Sequence, residues 1–251
     1  MESYRGRFAE LYDLFYSDKA YEAEVEFVCW CLGRFSTRSV TSILDVACGT
    51  GEHAKYFAHR GLQVTGIDHS QSMVKIARKK CPPAQFHVGD MRTFDLAGEQ
   101  FDAGSCLFDS IGYVRTNEGV RAAFSRISQY LRSEGILVFE FWHAPAMLRF
   151  YEPLRVRWVD AEASRILRIS NTTLDVARHL AEVRYTLIEL GNDGNYQRLD
   201  ETQTNRFFML GEMEELISES GLELLQFFSG FSKDAQIDER TWHVVGVARR
   251  T

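Results

Sequence analysis

Apolar and polar positions follow three different rhythms along the chain. Over residues 8–35, Phe8, Leu11, Tyr12, Phe15 and Tyr16 recur at helical spacing and AYEAEVEFVCWCLGRF carries a second apolar stripe, which predicts helix. Ser36–Ser42 is a polar break. SILDVAC then reads as a β-branched, nearly continuous apolar run, the pattern of a strand covered on both faces. Helix and strand alternate from there. GEHAKYFAHRG is a helix closed by Gly61, LQVTGID a strand, and SQSMVKIARKKC a helix with Ser70 as N-cap and Pro82-Pro83 as its stop. AQFHVGD and FDAGSCLF are strands, NEGVRAAFSRISQYLRSEG is a helix ending at Gly135, and ILVFEFW is a strand. This order over residues 43–142 predicts an α/β fold, a doubly wound and mostly parallel sheet with right-handed crossovers.

From residue 155 the period shortens to two. VRWVD, RILRISNTTLDVARHLAEVRYTLIEL and YQRLDETQTNRFF alternate apolar and polar residues, with GNDGN as a hairpin turn, so antiparallel strands are expected, covering one end of the parallel sheet. LGEMEELISESG is an amphipathic helix, and LELLQFFSGF and TWHVVGVARR are closing strands. The chain therefore divides into a helical cap (1–42), a core (43–142), an antiparallel insert (155–208) and a closing segment (209–251), together one domain of 251 residues.

Composition narrows the function. A formal net charge of −6 with no basic run leaves no footprint for nucleic acid. No window has the apolar length of a membrane span, and the opening residues lack a signal-peptide core, so a cytoplasmic protein is expected. The cysteines (29, 31, 48, 81 and 106) form no CxxC pair; they read as packing residues, and no metal site is expected.

The chemistry lies in ILDVACGTGEH, residues 43–53. Gly49 and Gly51 allow a tight turn and let a ligand lie against the main chain at the mouth of the sheet. The dinucleotide fingerprint would place a third glycine where Ala54 stands, and Asp45 is poorly placed beside a pyrophosphate. An acid there suits a ligand bearing an ammonium group, and S-adenosylmethionine has adenosine at one end and an amino acid at the other. With D-V-A-C-G-T-G at 45–51, the chain resembles the class I S-adenosylmethionine-dependent methyltransferases. The resemblance implies a Rossmann-like, seven-stranded sheet and cofactor contacts from Asp45, Ala47, Gly49 and Gly51. Asp68, followed by His69 and Met73, is placed to accept the ribose hydroxyls; Asp90 and Met91 of GDM hold the adenine, and Leu107 of CLFDSIGY stands at the mouth where sulfonium and acceptor meet.

Within that class the chain is most similar to the amino-sugar N,N-dimethyltransferases of antibiotic pathways, with glycine N-methyltransferase-like proteins further off. YRGRFAELYDLFY at 4–16 matches their opening helix, ILDVACGTG their LLDVACGTG, GDMRTF at 89–94 their GDMRDF, and SIGY at 110–113 their SIGH. This implies a small-molecule methyl acceptor, an amine of an amino sugar or similar metabolite, and a homodimer. It also implies that Tyr4 and Arg240 contact the acceptor and that Tyr12 closes over the methionine end of the cofactor. The chain departs from the pattern at Tyr113, where the family has histidine, and at Asp109, where it has serine. Asp109 either binds or deprotonates an ammonium, or caps a turn; His143 stands as a replacement for the missing histidine. An O-methyltransferase, or a protein that binds the cofactor without turnover, are the alternative readings.

Overall fold

The computed structural model describes residues 4, 6–161 and 164–251; the remainder of the predicted cap, residues 1–3 and 5, lies outside the described residues. The β-branched run forms β1 (Ser42–Val46), buried along its whole length. It pairs in parallel with β2 (Gln63–Asp68) and β4 (Phe101–Cys106); β2 carries β3 (Gln85–Val88) at the edge, and β4 carries β5 (Leu131–His143). Three connections are helical, through α3 (Glu52–His59), α4 (Gln71–Lys80) and α5 (Asn117–Tyr130), while β3 returns to β4 through the turns of residues 89–100.

Both faces are covered, as continuous apolar strands require. On one side Val25 and Val28 of α2 (Tyr21–Phe35), Phe57 of α3 and Val74 of α4 join a buried cluster with Ile43 and Val138. On the other, Phe124 and Ile127 of α5 pack with Leu216 and Ile217 of α7 (Leu210–Ser218) against Leu44 and Phe139.

The sheet is larger and more mixed than the expected seven strands. Eleven strands hydrogen-bond together. Beyond β5, the closing strand β11 (His243–Arg250) runs antiparallel to it and pairs with β10 (Leu222–Ser229). The insert is an antiparallel meander of β6 (Leu154–Asp160), β7 (Ser164–Asp175), β8 (Leu180–Gly191) and β9 (Tyr196–Phe208). Its last strand meets β5 in parallel only through Trp142↔Phe207 and His143↔Phe208.

Three local expectations are corrected. The opening helix is two helices, α1 (Gly6–Phe15) and α2, because long-range contacts override helical periodicity between them. Asp18 pairs with Arg157 of β6 at 2.8 Å, and Lys19 lies 4.5 Å over the Phe108 ring while bonding Glu24. The helix α5 ends at Tyr130, before Gly135, because Leu131 is pulled into strand register against Phe101. Residues Ala144–Phe150 form an additional helix, α6. Ser70 does cap α4, its Oγ accepting from the Met73 amide at 3.3 Å.

The cap and the insert pack on one another. Phe8, Leu11 and Phe15 of α1 form a small core with Ile166 of β7 and Leu187 of β8. This layer stands beyond the carboxyl ends of β1, β2 and β4, and encloses a space between itself and the sheet. No helix among the described residues is long and apolar enough to cross a membrane.

Candidate functional site

That space is a cavity of about 1460 Å³ bounded by α1, the turns after β1 to β4 and the inner face of the insert. Two backbone features set its floor. Ala47 is held at φ +57° and Gly49 at φ +54°, so the chain turns sharply as it leaves β1. The left-handed region is costly for Ala, and such strain clusters where a binding surface must be shaped. A Cβ on Gly49 would meet no protein atom within 4 Å, so its open side is available to a ligand. Gly51 serves differently: at φ +80° its Cβ would lie 3.0 Å from that of Ala77, so it allows α3 and α4 to approach, and it does not border the cavity.

Asp45 points into this floor. Its Oδ1 accepts from Ser105 Oγ at 2.8 Å, while its Oδ2 is buried with no partner. Burial pushes its pKa up to about 6, with His53 and the Ser105 hydroxyl opposing. A buried, half-satisfied carboxylate is expensive unless a cation completes it. Asp68, at the end of β2, accepts from the Gly49 amide at 2.9 Å and from the Ser70 amide at 2.7 Å. It fixes the glycine turn and keeps one lone pair on each oxygen for a ligand. Burial raises its pKa above the ordinary carboxylate value. Asp90 also lines the cavity, but its carboxylate is already bonded by the Arg92 guanidinium, which holds its pKa low. Ala47, His69, Met73, Met91 and Leu107 border the same region.

α1 is pinned over this floor. Asp13 accepts from Thr50 Oγ1 in the glycine turn and from Lys80 Nζ of α4, each at 2.5 Å. Tyr12 and Tyr16 pack with their rings tilted 52° to one another, 4.8 Å between centroids, and both border the cavity. Tyr4 bridges three elements: Ser70 Oγ donates to its carbonyl at 2.7 Å, its amide donates to Glu201 Oε1 at 3.0 Å, and its hydroxyl bonds Tyr113 and Gln203.

The turn after β4 carries a second concentration of strain. Phe108 and Asp109 are consecutive left-handed residues, at φ +56° and +55°. They are held by the Glu140 carboxylate, which accepts from the Phe108 amide at 2.5 Å, and by Asn205, whose amide donates to the Asp109 carbonyl at 3.2 Å. Gly112 makes this clasp possible, since a Cβ there would lie 1.6 Å from Asn205 Oδ1.

Asp109 and Glu140 both face the Nδ1 of His243, at 3.0 Å each. The Asp109 charge holds the His243 imidazolium protonated well above the ordinary histidine range; burial raises Asp109, with His243 pulling it back. Although no metal site was expected, these three residues bring ligand-type atoms within 4.8 Å of one another. The two acids share the single Nδ1–H of the His243 imidazolium in an ion-paired triad. His243 is a residue that sequence reasoning missed: its only signal is a histidine at the start of the last strand, and its partner Asp109 is distant in the chain.

Besides Gly51, which was expected to contact the cofactor, two expected site residues lie elsewhere. His143 is buried outside the cavity, its Nδ1 on the Thr241 carbonyl at 3.1 Å. Its place in β5 directs the ring away from the mouth of the sheet. Arg240 is exposed in the turn before β11, where its amide bonds Asp238 and its side chain does not border the cavity. Tyr4, Asp109 and Tyr113 are brought together with the floor; Gly51, His143 and Arg240 are not.

Comparison with known proteins places this geometry in context. A family model described as a methyltransferase domain matches residues 43–135. The dTDP-3-amino-3,4,6-trideoxy-alpha-D-glucopyranose N,N-dimethyltransferase of Streptomyces venezuelae is 32% identical over 223 residues, 86% of this chain and 90% of that protein. The dTDP-3-amino-3,6-dideoxy-alpha-D-glucopyranose N,N-dimethyltransferase of Streptomyces fradiae is 32% identical, covering 90% of this chain and 88% of that one. Among solved structures, SAM-bound CalS10, an amino pentose methyltransferase from Micromonospora echinaspora, superposes with a TM-score of 0.79 at 27% identity, over 100% of this chain and 99% of that one.

Proposed function

The chain belongs to the S-adenosylmethionine-dependent methyltransferases, and on that premise we propose that it methylates the amine nitrogen of an amino sugar or a similar small metabolite. The observation that carries the cofactor assignment is Asp45: a buried carboxylate oxygen without a partner, beside an open glycine turn, is what an amino-acid ammonium completes. In this reading Asp45 binds that ammonium, Gly49 and Ala47 cradle the amino-acid end under Tyr12, Asp68 accepts the ribose hydroxyls, and Asp90 with Met91 borders the adenine. When bound, the cofactor supplies a methyl group made electrophilic by its sulfonium.

The rest of the chemistry is positioning, and the protein's own residues do it. The strained Phe108–Asp109 turn orients the acceptor amine by accepting its hydrogen at the Asp109 carboxylate. Tyr4 and Tyr113 close the opposite side, and α1 excludes water. An amine fits better than a hydroxyl because His243, at the acceptor turn, is held as an imidazolium, a donor that cannot take a proton.

We further propose that residues 1–251 work as one methyltransferase domain, without nucleic acid, in the cytoplasm. The outer face of β6 exposes Leu154, Val156 and Trp158, an apolar row that supports the homodimer. The test of function is transfer of a labelled methyl group from S-adenosylmethionine to a dTDP-amino sugar and to its counterpart with hydroxyl in place of amine. Label on the amine alone is expected; label on the hydroxyl sugar alone would refute the amine reading.

A further inference from the structure

Three carboxylate oxygens converge on one nitrogen at the acceptor turn. His243 Nδ1 lies 3.1 Å from Asp109 Oδ1, 3.0 Å from Asp109 Oδ2 and 3.0 Å from Glu140 Oε1. Three elements of the sheet bring these groups together. Asp109 follows β4, Glu140 stands in β5 and His243 opens β11. In the ladder between β5 and β11, Glu140 is paired with Val245, and His243 is two residues from Val245, on the same face of the sheet.

A single N–H cannot make well-aligned bonds to all three oxygens. Asp109 and Glu140 are nevertheless each only 2% exposed, and two buried acids around one imidazolium leave a negative charge over. Lys19 also acts on Asp109, but it is already bonded to Glu24. A divalent ion answers both problems. In an octahedral site with metal–ligand bonds of about 2.1 Å, neighbouring donor atoms stand about 3.0 Å apart, the spacing that Nδ1 keeps from both acids. Such an ion cancels both carboxylates in full. The ligands are also supported from behind: the Phe108 amide holds the second oxygen of Glu140 at 2.5 Å, and Asn205 holds the Asp109 carbonyl at 3.2 Å. Asp109 and His243 border the cavity, and the His243 side chain is 42% exposed, so water can reach the ion and fill its remaining positions.

We propose that Asp109, Glu140 and His243 form a binding site for a divalent first-row transition metal ion. An imidazole beside two carboxylates suits manganese, iron, cobalt or zinc better than magnesium or calcium, which take oxygen ligands. On binding, Nδ1 gives its proton to solvent and its lone pair forms the bond to the metal. The ion then holds Asp109, so metal and acceptor amine compete for that carboxylate. The competition rests on the methyl-transfer reading; the metal site does not.

The experiment is titration of the untagged full chain, stripped with EDTA and exchanged into metal-free buffer, with Co²⁺ followed by visible absorption. No cofactor is present, so the outcome is independent of S-adenosylmethionine binding. His243→Phe and Glu140→Gln are titrated alongside, with far-ultraviolet circular dichroism recording that each is folded. One Co²⁺ per chain with ligand-field bands is expected on wild type, with affinity falling about tenfold or more in either folded variant. A wild type without those bands overturns the site, whatever the variants do. Equal affinity in wild type and a folded variant overturns it as well, since the ion would then lie elsewhere on the chain.

Discussion

Replacing Asp45 by Asn isolates a buried carboxylate with one unpartnered oxygen. Burial lifts the Asp45 pKa from 3.8 to about 6, a penalty of about 3 kcal/mol on its ionised form at neutral pH. The sign follows from linkage. Between about pH 4 and pH 6 the native state binds more protons at this site than the unfolded state, so this group's contribution to stability declines as pH rises through that window. Asn carries no such term. The thermal stability of Asp45→Asn relative to wild type is therefore expected to improve from pH 4 to pH 7 by up to about 3 kcal/mol, whatever its absolute value, with the two proteins measured without ligand in the same buffers. Binding runs the other way. At pH 8 the variant loses a charge-assisted bond to the cofactor's ammonium, about 1.5–3 kcal/mol, or roughly 10- to 150-fold in the Kd for S-adenosylhomocysteine. At pH 5 most wild-type Asp45 is protonated in the free protein, and the advantage of wild type shrinks by about tenfold. A wild-type-to-variant affinity ratio that is near unity, or that does not change between pH 5 and pH 8, would refute the argument.

Other outcomes follow from the same geometry. Gly51→Val should lower stability by about 2 kcal/mol or more, because its Cβ meets Ala77 at 3.0 Å in addition to the strain of a β-branched residue at positive φ, whereas Gly49→Val carries the backbone strain alone, should melt less far below wild type, and should abolish S-adenosylhomocysteine binding. His143→Ala should change turnover by no more than about threefold while costing about 1–2 kcal/mol in denaturant unfolding, since it loses only the bond to Thr241. His243→Phe should cut kcat by about 10- to 100-fold by releasing Asp109 and Glu140 from their shared imidazolium. Because the folded protein holds His243 protonated above its ordinary range, that pair's stabilisation is complete below about pH 6.5 and is lost as pH rises well beyond it. Wild-type melting should therefore decline through the alkaline range more steeply than that of His243→Phe.

The parallel core was legible because a strand buried on both faces leaves an unbroken apolar run, and β1 does so along its full length. The glycine turn, Asp45 and Asp68 were legible because Asp45 lies in that strand, the glycines follow it directly, and Asp68 closes the next strand. The break between α1 and α2 was not, since the residues that make it, Asp18 and Lys19, answer to Arg157 and Phe108 far along the chain. Nor was His243, whose meaning comes from Asp109 and Glu140 on two other elements. Arg240 and His143 show the limit of transferring roles by resemblance: each occupies the expected stretch, yet the local turn or strand alternation points its side chain elsewhere.

The most direct measurement is titration of the wild-type protein and of Asp68→Ala with S-adenosylhomocysteine. Asp68 both holds the glycine turn and faces the cavity with two free lone pairs. One ligand per chain on wild type, weakened by about 1–3 kcal/mol in the variant, is the expected result. Binding of equal strength in both would place the cofactor outside this cavity and contradict the assignment of the site.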